Sequence, residues 1–155
     1  MIGNHDYKRG QKMIRKDLES QGIIMLGRYA RQVGPLVMGG VNRSYIGPIR
    51  MATTVASMHR LDGGRILVSH YPDHFTRFPS NTGLMLAGHT HCGQVRLFGW
   101  APVTNSDYGQ KYVCGLVQER GNVLIVTAGL GTSIIPFRFG APPDIWLVEA
   151  RPSAH

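Results

Sequence analysis

The sequence predicts a mixed α/β (α+β) fold, and three observations carry that prediction. Short apolar runs at Leu36-Val37-Met38, Ile66-Leu67-Val68 and Leu84-Met85-Leu86-Ala87 have the length of buried strands. Two segments with helical spacing or length stand among them, the order expected of helices packed on a mixed sheet. Glycine, proline or polar clusters then close each run.

Taken in order, Asp6 is placed to cap a helix from about Tyr7 to Ser20. Met13, Ile14 and Leu18 form its apolar stripe, Asp17 lies on the polar side, and Gly22 closes it. Ile23 to Leu26 reads as a strand, and Leu36 to Val41 as another. An Asn, Arg, Ser, Gly and Pro loop leads to a helix over Met51 to His59, despite the poor helix formers Thr53, Thr54 and Val55. Arg65 to Ser69 is a strand ending in His70, and Pro72 prevents its continuation because proline cannot donate to a ladder. Leu84 to Ala87 is a strand feeding a loop. Further strands are expected near Val95 and Tyr112, over Asn122 to Thr127 and over Ile145 to Glu149. The glycine-rich Thr127 to Ser133 lacks the lysine of a phosphate-binding loop and reads as a tight turn. Without repeat or linker, 1–155 reads as a single domain.

Composition narrows the class. An apolar fraction of 43% and a charged fraction of 17% are those of a globular chain. The net charge of +8 favours anionic partners. Its cations, including Lys8, Arg15, Arg28, Arg43, Arg65, Arg96 and Arg138, form no dense run interleaved with aromatics, so most read as solvated surface and nucleic acid is not favoured. Cys92 and Cys114 are too few for a disulfide scaffold and are expected to be small buried hydrophobes. No apolar run reaches the ~18 residues of a membrane helix and no signal pattern opens the chain, so it is expected to be soluble and, by default, cytoplasmic.

Chemistry concentrates in three polar clusters: Gly3-Asn4-His5-Asp6, Ser69-His70-Tyr71-Pro72-Asp73 and Gly88-His89-Thr90-His91. Alternation along an extended segment puts His89 and His91 on one side, with Thr90 opposite. Imidazoles so paired suit Zn, Fe, Mn or Ni. A His-X-His pair by itself more often bonds backbone. Three such clusters at strand ends, however, converge on one sheet edge. His59 and His74 are expected at the surface or in support of the site; for Tyr71 and Phe75 core packing is expected ahead of the alternative, lining the mouth of a pocket.

These clusters, in this order, resemble the calcineurin-like metallophosphoesterases, whose pattern is D-x-H, G-D-x-x-D, G-N-H-[DE], a later histidine and G-H-x-H. The tail from His89-Thr90-His91-Cys92-Gly93-Gln94 through Ala128-Gly129-Leu130-Gly131 to Pro136-Phe137-Arg138-Phe139-Gly140 is similar to a bacterial branch of small phosphohydrolases in that family. The resemblance implies a four-layer α/β/β/α sandwich with mixed sheets. It implies Asn4, His70 and His89 as ligands of one metal and His91 as a ligand of a second. His5 would face the substrate phosphate, and Asp6 would orient it. In the intact family two divalent ions (Mn, Fe or Zn), ~3.5–4 Å apart, serve hydrolysis of phosphate mono-, di- or pyrophosphate esters. Relatives in this branch often carry an N-terminal apolar anchor. That implies membrane association and includes lipid-like phosphate esters among the substrates.

Neither D-x-H nor the dipeptide G-D occurs in the chain. The resemblance therefore implies the C-terminal portion of an N-terminally incomplete domain, inactive alone and holding at most one ion. Two dications without a carboxylate between them would repel strongly. Such a portion is also expected to expose an apolar sheet edge. Two other readings stay open: a non-catalytic single-metal or interaction module, and a basic nucleic-acid binder resting on charge alone.

Overall fold

The computed structural model describes residues 1–27, 29–41 and 48–151. Six strands, β1 (Arg31–Val33), β2 (Leu36–Val41), β3 (Gly64–Ser69), β4 (Leu84–Ala87), β5 (Gly115–Glu119) and β6 (Asn122–Val126), form one sheet. Its spatial order is β1-β2-β3-β4-β6-β5. The four inner strands are parallel, and the edge strands β1 and β5 pair antiparallel. This is the mixed sheet that the apolar runs predict. Among the described residues it is the sheet present, where a four-layer sandwich would stack two.

The parallel strands are mostly apolar, with one face buried and Met38, Val68, Leu86 and Val123 on the other partly exposed. Register places Leu67 beside Met85 and Met85 beside Leu124, all fully buried. Phe75, Phe78 and Tyr112 complete that layer with Met58, Val55 and Met51 of helix α2 (Pro48–Met58). Each such side chain contributes about 1.5–3 kcal/mol on burial. Helix α2 approaches β2 closely because Gly39 lacks a side chain, where a Cβ would stand 2.6 Å from Met58 Sδ.

Helix α1 (Asn4–Ser20) begins three residues earlier than expected, with Gly3 as its N-cap. Asp6 sits at the third helical position and accepts a hydrogen bond from Gly3 N–H at 3.0 Å. Gly10, with φ +106°, breaks the helix, and Met13 stands in solvent instead of on an apolar stripe.

Two expected strands do not form. Ile23 to Leu26 runs outside the sheet, with Leu26 laid against the bare backbone of Gly40. Ile145 to Glu149 is irregular, and Ile145 and Leu147 are exposed. Both have strand composition, but neither has a neighbouring strand to pair with among the described residues. Near Val95 the pairing is one bridge to Phe139, and Tyr112 closes a 3-10 turn (Gly109–Tyr112) ahead of β5. The loop expected over 42–47 lies outside the described residues, as does Arg28. Among the described residues no helix is long and apolar enough to cross a membrane.

Candidate metal centre

Parallel neighbours β3 and β4 end at Ser69 and Ala87, so the residues that follow them leave from one edge of the sheet. His70 is the first residue beyond β3, and His89 the second beyond β4. Their rings meet: His89 Nδ1 lies 3.1 Å from His70 Nε2. Asn4, from the first turn of α1, reaches the same point with Oδ1 2.8 Å from His70 Nε2. Gly3 makes this approach possible, since a Cβ there would stand 2.9 Å from His70 Cε1.

Burial, reinforced by the neighbouring His89, holds His70 down at about 4. Burial, reinforced by His91, holds His89 at about 4 as well. Both imidazoles are therefore neutral at pH 7 and keep a lone pair. Three lone-pair atoms converge, and at most one imidazole proton lies among them. That donor set, an amide oxygen and two imidazole nitrogens, fits a single divalent ion of the Mn, Fe or Zn class.

The other expected residues act on this trio through charge, with no hydrogen bond to it. His91 is half-buried, with Nδ1 3.4 Å from Arg138 Nη2. Its pKa is lowered, first by burial and further by the Arg138 charge, against a hydrogen bond to the Gly131 carbonyl that raises it. His5 is exposed on α1, and the Asp6 carboxylate is engaged with Gly3 N–H. Among the described residues no group of three or more His, Cys, Asp or Glu side chains gathers around one point. The two nearby carboxylates are engaged elsewhere, Asp6 with Gly3 N–H and Asp73 with Ser106 and Asp107.

Three features of the site are not what the sequence predicts. Tyr71 is no core residue: its ring stacks on His89 at 4.1 Å between centroids and meets His70 edge-on at 4.8 Å. Phe75 is in the core as expected. Arg138 is no solvated surface cation. Its guanidinium donates to the carbonyls of His91, Ala128, Gly129, Gly131 and Ala141. The signal was available in its setting, a lone cation inside the apolar run Ile134-Ile135-Pro136-Phe137-Arg138-Phe139. Those carbonyls also settle the 127–133 turn, which points oxygens inward and so is no anion cradle. Finally, Cys92 and Cys114 are joined in a disulfide and are not separate buried hydrophobes.

Supporting contacts follow the expected division for the remaining histidines. His59 is exposed, and buried His74 donates from Nδ1 to Ser69 Oγ at 2.7 Å, the hydroxyl in turn donating to the Tyr71 carbonyl. Asp73 accepts from Ser106 Oγ and Asp107 N–H, which pins the 104–108 loop beside the site.

Comparison with known proteins supplies the family. The chain is 40% identical over 94% of its length to the uncharacterized metallophosphoesterase YkuE of Bacillus subtilis, of which it covers 53%. It belongs to the metallophosphoesterases. Uncharacterized metallophosphoesterases of Helicobacter pylori (29% identical, covering 97% of this chain and 41% of the relative) and Aquifex aeolicus (27%, covering 97% and 59%) are also similar. No family model and no solved structure matches the chain. The chain spans about half the length of these metallophosphoesterase relatives, and the family implies use of a divalent metal.

Proposed function

We propose that this metallophosphoesterase chain serves the hydrolysis of a phosphate mono-, di- or pyrophosphate ester, with Asn4, His70 and His89 holding one divalent ion. The approach of Asn4 Oδ1 (2.8 Å) and His89 Nδ1 (3.1 Å) to His70 Nε2 carries this reading. The bound ion would supply positive charge to neutralise phosphoryl oxygens. Exposed His5, one residue beyond the ligand Asn4, is free of the cluster and is the group to hydrogen-bond a phosphate oxygen or protonate a leaving oxygen. Asp6 fixes the first turn of α1, through Gly3, and so fixes the start of the segment that bears Asn4 and His5. Tyr71 packs against both imidazoles, and that burial favours their neutral form. His91 would join only a second ion, and the nearby carboxylates of Asp6 and Asp73 are engaged elsewhere.

That last point favours a second reading, a single-metal module without turnover. The two are separated by measuring Mn²⁺ uptake by calorimetry and release of nitrophenol from bis(p-nitrophenyl) phosphate on the same preparation. Hydrolysis lost in both His89→Ala and Asn4→Ala supports the phosphoesterase. Tight Mn²⁺ binding at one site with no release supports the module, and no binding at all defeats both.

A further inference from the structure

Of the residues His89 to Gln94, His89 (φ +70°), His91 (+52°), Cys92 (+53°), Gly93 (+79°) and Gln94 (+56°) occupy the left-handed region. Only one of these is glycine. L-residues do not choose that conformation unaided, so the surroundings must impose it. Arg138 holds the His91 carbonyl and Gln94 bonds Ser133 and Ile135, whereas the two restraints on Thr90 and Cys92 come from one place. Thr90, fully buried, donates from Oγ1 to the Val113 carbonyl at 2.7 Å, and Cys92 is bonded to Cys114. Val113 and Cys114 immediately precede β5, whose pairing with β6 begins at Gly115 opposite Val126. The loop that carries His89 and His91 is therefore tied covalently to the sheet, one residue from His91. Cys92 and Cys114 also pack with Ala128 and Ala141, beneath the turn whose carbonyls Arg138 gathers.

We propose that the Cys92–Cys114 disulfide is the element that holds His89 and His91 in their observed pose, so that the redox state of this pair sets the order of the loop and its affinity for a divalent ion. The part concerning the ion rests on the function proposed above; the part concerning the loop does not. Opening the bond with dithiothreitol transfers two electrons to the sulfurs, each of which takes a proton, and the reductant leaves as its cyclic disulfide. Oxidised glutathione reverses the step and leaves as two glutathione thiols.

The test uses the full chain. Alkylation and intact mass count thiols in the oxidised protein, where none is expected. Hydrogen exchange by mass spectrometry then follows the 88–94 peptide against the 122–126 strand. On reduction, and in Cys114→Ser, the loop peptide exchanges about ten-fold faster while the strand is unchanged. Mn²⁺ affinity, read from the resonance of free Mn²⁺ after the reductant is removed, falls about ten-fold. Reoxidation restores both in the native chain and neither in Cys114→Ser. Should Cys114→Ser unfold, which the strand peptide reports, Cys92→Gly/Cys114→Ser replaces it, because glycine accepts the left-handed backbone. Two alkylatable thiols after oxidation, or identical loop exchange in both redox states, overturns the proposal. If the loop responds but the oxidised chain takes up no Mn²⁺, the metal reading fails and the lock stands.

Discussion

Nε2 of His70 and Nδ1 of His89 face one another at 3.1 Å, although the residues are 19 apart in sequence and no covalent feature joins them. Two adjacent parallel strands, in register from Ile66 with Leu84 to Val68 with Leu86, create that meeting. It is a property of the sheet, delivered by strands whose sequence needs only to be apolar.

Because both imidazoles titrate near 4 in the folded chain and near 6.5 unfolded, stability depends on pH in a defined direction. Above about pH 6.5 both states are neutral at these sites and the contribution is constant. As pH falls from 6.5 towards 4 only the unfolded chain takes up protons, so stability falls; below 4 the folded chain titrates too and the loss levels off. Urea midpoints measured from pH 7.5 to 4.5 should decline, and His89→Gln should flatten the decline.

Arg138 stabilises the site by gathering the carbonyls of His91, Ala128, Gly129, Gly131 and Ala141. Arg138→Ala leaves them short of donors and should cost about 2–4 kcal/mol by chemical denaturation. Arg138→Lys should recover only part, since an ammonium lacks the guanidinium fork.

Asn122 offers a contrast far from the histidines. Its side chain, 2% exposed, accepts from Thr82 and Gly83 N–H and donates to the Pro79 carbonyl. Asn122→Ala should cost about 2–4 kcal/mol while leaving Mn²⁺ affinity of the folded chain unchanged. Equal losses of stability and affinity would show that the two regions are not independent.

What the sequence makes legible follows from how local each feature is. Leu36 to Val41 and Leu84 to Ala87 are strands as read, because short apolar runs bounded by turn residues pair readily in a sheet whose one face is buried. Ile145 to Glu149 has the same composition and is no strand, because pairing requires a partner that composition does not reveal. Asn4, His70 and His89 were readable from motif order at strand ends. The Cys92–Cys114 bond was not, since closing 22 residues depends on where β5 lies. Arg138 was missed for a related reason: the carbonyls of His91, of the 128–131 segment and of Ala141 converge on it only after folding. Tyr71 was read as core because an aromatic beside a proline carries no mark of the ring it will cover.

That ring supplies the last prediction. Burial is the first cause of the lowered pKa at both His70 and His89, and Tyr71 packs against both. Tyr71→Ala opens them to water, so their pKa values should rise from about 4 towards the ordinary 6.5, read by NMR titration of the Cε1 protons. Tyr71→Phe keeps the ring and should leave both values where they are. A hydroxyl effect would reverse that ranking, with Phe as disruptive as Ala. Mn²⁺ binding at pH 6 should follow the same order, because protons compete with the ion only where the imidazoles have regained their basicity.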